Sequence, residues 1–153
     1  EYPLDMQYDP ASGKIYLVND KVDFPGGYFS LNFDGSAITE HLTDIDGTAI
    51  EVDLATKKVY ITAFGVTGTP ITENGLYMCN LDGSSLVKIG DFGSKATWGI
   101  AADHKRNKLF WGFKNSNSAP DGKIMRSNLD GSDQEDWVTG VSPHAMQISW
   151  IKL

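Results

Sequence analysis

An all-β fold assembled from three copies of one four-stranded unit is predicted by three observations. The phrase NFDGS at 32–36 returns as NLDGS at 80–84 and 128–132, so Asp34, Asp82 and Asp130 are 48 residues apart each time. Upstream, Asp9, Asp53 and Asp103 each stand five residues before Lys14, Lys58 and Lys108, and seven before an aromatic, Tyr16, Tyr60 or Phe110. No segment sustains a helical apolar stripe, while short runs rich in β-branched and aromatic residues recur along the whole chain.

Each unit reads the same way. LDMQYD, AIEVD and GIAAD are short apolar strands ending in the Asp. PASGK, LATKK and HKRNK follow as polar turns of constant length, and KIYLV, KVYIT and KLFWG as second strands. After a loop of varying length come GGYFSLN, NGLYMCN and GKIMRSN, then the Asp-Gly turn, then the more polar AITEHLT, SLVKIGD and QEDWVTG. Asp-Gly between two extended runs predicts a tight hairpin with positive φ at both residues. The repeated Asp9, Asp53 and Asp103 are expected to accept backbone N–H groups of the turn that follows them. The second strand is apolar on both faces, as in Ile15, Tyr16, Leu17 and Val18, which predicts a sheet covered on both sides. Four-stranded repeats of this length point to β-propeller blades, at about 4–43, 48–90 and 98–139 of a single unit spanning 1–153.

An apolar strand ending in Asp, then Lys-x-aromatic, then NLDGS, resembles the YWTD propeller family of lipoprotein receptors and nidogen, over roughly 4–142. The third copy, GIAADHKRNKLFWGF…KIMRSNLDGS, matches best; the namesake tetrad is replaced by YLVN, YITA and FWGF. The family uses six blades, and propellers in general close with about four to eight. The resemblance therefore implies a half ring, and covering its exposed blade faces predicts a homodimer that completes six blades about a two-fold axis. The tail PHAMQISWIKL (143–153) reads as a further inner strand at about 144–151. It would cross to the partner, pair within its own chain, or belong to a fourth blade.

Composition narrows the partners. A net charge of −7 repels phosphate backbones, which argues against nucleic acid, and no apolar run approaches the length of a membrane span. The single cysteine, Cys79, permits no internal disulfide. Extracellular placement is favoured over cytoplasmic.

Residues that recur in every blade are expected to hold up the blade, so function is sought where the copies differ. The loops at 19–27, 64–74 and 113–122 each combine an aromatic with amides or carboxylates: Phe24 with Asp20 and Asp23, Phe64 with Glu73 and Asn74, and Phe113 with Asn115 and Asp121. Such sets suit sugars, whose apolar face stacks on a ring while their hydroxyls bond to polar groups. The plainer reading is a polar loop with an aromatic plugged into the blade top. Catalysis finds little support: His41, His104 and His144 have no metal-ligand spacing, no nucleophile elbow or phosphate loop appears, and only Glu51 and His144 hint at a channel site. No metal or cofactor is called for. The expectation is a non-enzymatic lectin presenting repeated sites on a dimeric propeller. The alternative is a protein-interaction module, which the family resemblance implies, with a hydrolase or lyase third.

Overall fold

Three repeated carboxylates set the local geometry of the chain. The Asp9 carboxylate accepts the Ala11 and Ser12 backbone N–H groups, and Asp53 accepts those of Ala55 and Thr56. Asp103 accepts the Arg106 N–H, and its second oxygen takes the Arg106 guanidinium at 2.8 Å. Each Asp thus closes a turn and reverses the chain into the next strand, as the sequence pattern requires.

The computed structural model describes residues 3–20, 26–93, 97, 99–113 and 122–141. Among them lie twelve strands and no helix. In chain order these are β1 (Pro3–Asp9), β2 (Lys14–Asn19), β3 (Gly27–Asn32), β4 (Thr39–Thr43), β5 (Asp46–Asp53), β6 (Lys58–Phe64), β7 (Gly75–Asn80), β8 (Val87–Asp91), β9 (Ile100–Asp103), β10 (Lys108–Phe113), β11 (Gly122–Asn128) and β12 (Glu135–Val141). They form three antiparallel four-stranded sheets in sequential order, β1 to β4, β5 to β8 and β9 to β12. The predicted strand at 144–151 lies outside the described residues.

The sheets stack face to face through their first strands, β1 against β5 and β5 against β9. Strand β6 shows why. Val59, Ile61 and Ala63 enter a core shared with Tyr16, Val18 and Tyr28 of the first sheet, while Tyr60 enters a second core with Leu109 and Trp111 of the third. Successive side chains of a strand point to opposite faces, so a strand lying between two sheets is buried on both, with Thr62 satisfied there by the Thr48 hydroxyl. At about 25 cal/mol per Å², these two cores are the principal stabilising term.

The Asp-Gly turn departs from the expected hairpin. Positive φ falls on Gly35, Gly83 and Gly131 and again two residues later on Ala37, Ser85 and Asp133, but not on the aspartates. The reason is side-chain chemistry. Asp34 Oδ1 accepts both the N–H and the hydroxyl of Ser36, Asn32 N–H bonds to the Ser36 carbonyl, and Asn32 Nδ2 donates to Ser36 Oγ. Blades two and three repeat this set at Asp82 with Ser84 and Asp130 with Ser132. All of Asn-x-Asp-Gly-Ser is therefore used, with Gly alone carrying the first left-handed residue.

The turn glycines also fix how blades meet. A Cβ on Gly83 would run into the His41 carbonyl of the preceding blade, and one on Gly131 would lie 2.6 Å from Ile89 Cβ. Around Gly35 nothing approaches within 4 Å.

Candidate functional site

Strand order places two kinds of chain on opposite rims. The Asp9-type turns and the Asn-x-Asp-Gly-Ser turns share one rim, where Phe33 N–H bonds to Gly13 O and Leu81 N–H to Lys57 O. The variable loops and the blade-to-blade connections share the other, where Ile45 N–H bonds to Gly26 O. This second rim holds Asp20, Phe64, Glu73 and Asn74, the described residues among those the sequence nominates for ligand binding.

On that rim the described residues show what their side chains already do. Asn74 Oδ1 accepts the Gly65 N–H at 2.8 Å, as Asn19 Oδ1 accepts the Gly27 N–H one blade earlier. Glu73 is largely exposed and meets Lys88 Nζ at 2.6 Å, while Lys88 also reaches Asp91 at 3.0 Å. Burial works against the Lys88 charge, but the two carboxylates outweigh it and raise its pKa. Ile71 pins the same loop from below, fully buried in the first core, and its carbonyl accepts the Val66 N–H. Phe64 is half-buried at the end of β6. The structure thus brings Phe64, Glu73 and Asn74 together at one end of β6 and β7. Asp20 follows β2, its carbonyl packed against Gly26. Phe24, Asp23, Asn115 and Asp121 lie outside the described residues, as does the Phe113 side chain, whose backbone ends β10.

The inner strands carry a second polar group, which sequence reasoning glimpsed only at Glu51. Asp5 accepts the Ile50 N–H at 2.9 Å and Gln7 the Val52 N–H at 2.6 Å, both across the joint between the first and second blades. Glu51 accepts the Ala102 N–H across the next joint, and burial pushes its carboxyl up to about 7. His104 stands 3.9 Å from Glu51 and 3.3 Å from Asp53. Burial also raises Asp53, yet hydrogen bonds from Thr56 and the nearby His104 prevail and hold it below the usual carboxylate range. These side chains satisfy the outward N–H groups of a neighbouring first strand, and their chemistry is that of staples between blades. A signal was present in the sequence, since Gln7 and Glu51 stand at the same distance before Asp9 and Asp53. His144 lies outside the described residues.

Among the described residues no three His, Cys, Asp or Glu side chains cluster as a metal site, and no helix is long and apolar enough to cross a membrane.

No protein-family model matches the sequence, and no curated protein matches it significantly. Solved structures do. A nidogen/laminin complex superposes with a TM-score of 0.71 at 16% identity over 90% of this chain. A putative TolB from Agrobacterium tumefaciens gives 0.68 at 15% over 88%, and a protein of unknown function from Bacteroides thetaiotaomicron gives 0.58 at 17% over 90%. The chain spans 48% of the length of each of the first two and 31% of the third. With three four-stranded antiparallel sheets stacked through their first strands and these structures as its likeness, the chain has the β-propeller fold.

Proposed function

We propose that the chain is a non-enzymatic binding module of the YWTD type, and that it engages a protein ligand on the rim carrying the variable loops. The observation that carries this reading is the division of labour between the rims. The repeated polar residues are consumed in identical turns on one rim, while the other presents loops that differ between blades, including the exposed Glu73, Lys88 and Asp91 cluster. Rigid scaffolds commonly carry recognition on such loops, and rim charges steer association. The likeness to a propeller solved in a nidogen/laminin complex supports a protein ligand.

Carbohydrate binding is the second reading, favoured by the half-buried Phe64 beside Glu73 and Asn74. With Asn74 Oδ1 given to Gly65, the loop has fewer free acceptors for sugar hydroxyls than its sequence promises.

The test is a loop exchange. Residues 66–70 are replaced by Gly-Ser of equal length, keeping Ile71 and Asn74, and binding is measured on arrays of extracellular-matrix proteins and of glycans. Protein binding that the exchange abolishes without altering the β-sheet spectrum supports the first reading. Glycan binding inhibited by a free sugar moves the assignment to the second, and binding indifferent to the exchange overturns the choice of rim.

A further inference from the structure

We propose that Glu51 and His104 form a pH-sensitive clasp holding the third blade to the second, and that the joint between the first two blades is its pH-insensitive counterpart. This goes beyond the ligand reading and does not depend on it.

The two joints use the same repeat positions with different chemistry. At the first, Gln7 reaches across to the Val52 N–H at 2.6 Å, and Leu54 follows the turn aspartate Asp53. At the second, Glu51 stands at the position of Gln7 and accepts the Ala102 N–H, while His104 stands at the position of Leu54. An amide and an aliphatic chain are exchanged together for an acid and a base. The exchange brings that acid and base into one cluster across the joint. The His104 ring is bracketed by two carboxylates of the second blade, with Nδ1 3.3 Å from Asp53 and Nε2 3.9 Å from Glu51. At the first joint Gln7 carries no charge and Leu54 no nitrogen, so the same positions cannot bind a proton.

The surroundings decide what the cluster does. Facing Glu51 are Asp5 from β1, Asp53 on its own strand, Tyr60 from β6 and His104 from the turn after β9. Burial pushes the Tyr60 phenol up to about 12, so it stays neutral. Burial opposes ionisation of Asp53, but the Thr56 hydrogen bonds and His104 prevail and keep it a carboxylate. Asp5, raised by burial, serves the Ile50 N–H of the first joint. His104 is the base among these groups. One proton shared by Glu51 and His104 leaves either a neutral acid or an imidazolium between two carboxylates. Its loss leaves two carboxylates facing a neutral ring, with Glu51 largely buried. Parting the blades exposes Glu51 to water, where its proton is released. Opening is therefore increasingly favoured as pH rises from 4.5 to about 7 and is constant above that. The clasp is closed in acid and loosened in mild alkali.

The experiment is residue-resolved amide hydrogen exchange on the 153-residue chain from pH 5 to pH 8, with each rate corrected for its intrinsic pH dependence. Val52 and Ala102 share one repeat position and report the two joints separately. Protection of Ala102 should fall about tenfold or more over this range, while that of Val52 stays constant. Glu51→Gln should abolish the fall. His104→Leu, copying Leu54, should move its midpoint to higher pH, because Glu51 then loses the partner that stabilises its ionised form. Constant protection of Ala102 in the wild-type chain overturns the proposal. A parallel fall at Val52 also overturns it, by assigning the response to Asp5 or to the chain as a whole. So does a fall that survives Glu51→Gln, or a midpoint indifferent to His104→Leu.

Discussion

Gln7 Oε1 accepts the Val52 backbone N–H at 2.6 Å, and one blade later Glu51 does the same for the Ala102 N–H. The two side chains occupy the same repeat position, but one is neutral and the other ionisable. The first-strand joint therefore exists in the molecule in an uncharged and a charged version, and their difference predicts how stability responds to pH.

Glu51 has its carboxyl raised from 4.5 to about 7 by burial, so the folded chain holds a proton there that the unfolded chain has released. Stability attributable to this group is full below about pH 4.5 and falls as pH rises to about 7, after which it is constant. Glu51→Gln, copying Gln7, should flatten that fall and raise stability at pH 8 by about 1–3 kcal/mol. Urea unfolding of both proteins at pH 5 and pH 8 measures it; an unchanged difference between the two pH values contradicts it.

The turn aspartates act in the opposite sense. Asp9, Asp34, Asp82, Asp103 and Asp130 are each held below 3.8, led by a side-chain hydrogen bond from Ser12, Ser36, Ser84, Arg106 and Ser132 respectively. Their contribution is present above pH 3.8 and is lost as pH falls through the lowered values. Acid unfolding should therefore set in below about pH 4 and should come earlier in the Ser84→Ala variant, followed by tryptophan fluorescence.

Removing Asp53, itself buried, leaves the Ala55 and Thr56 N–H groups and the Thr56 hydroxyl without their acceptor at a turn whose other residues are exposed. Asp53→Ala should cost about 2–3 kcal/mol, with Asp53→Asn costing less. Chemical denaturation is the measurement, and equal losses in the two variants would show that the turn does not rest on the acceptor.

Gly83→Ala and Gly131→Ala combine a left-handed backbone with a collision against the preceding blade, and each should cost about 3 kcal/mol or more. Gly13→Ala meets nothing within 4 Å and should cost about 1 kcal/mol. Comparable melting temperatures for the three variants would refute the docking role of the turn glycines.

The blade was legible in the sequence because its signals are local. Asp9, Asp53 and Asp103 close turns within three residues of themselves, and Val59, Ile61 and Ala63 enter one core while Tyr60 enters the other, so constant spacing and a mostly apolar strand sufficed. The φ pattern of the Asp-Gly turn was not, because Ser36, Ser84 and Ser132 capture the aspartate and lengthen the loop beyond the tight hairpin that Asp-Gly forms alone. The loop rim was legible only as composition. Nothing in the sequence near Asn74 tells that its side chain serves Gly65, a contact made by the fold of the loop. The staples were missed for a related reason: the N–H groups that Gln7 and Glu51 satisfy belong to strands 45 and 51 residues away.

Cys79 sits fully enclosed in the joint between the first two blades, and burial pushes its thiol up to about 12. Thiolate is the reacting form, so the native chain is almost inert to disulfide reagents at neutral pH. Labelling must wait for the first and second blades to part, which makes this single thiol a chemical clock for that opening. Its rate, followed over reagent concentration, reads the free energy of separating one pair of blades while the rest of the chain stays folded.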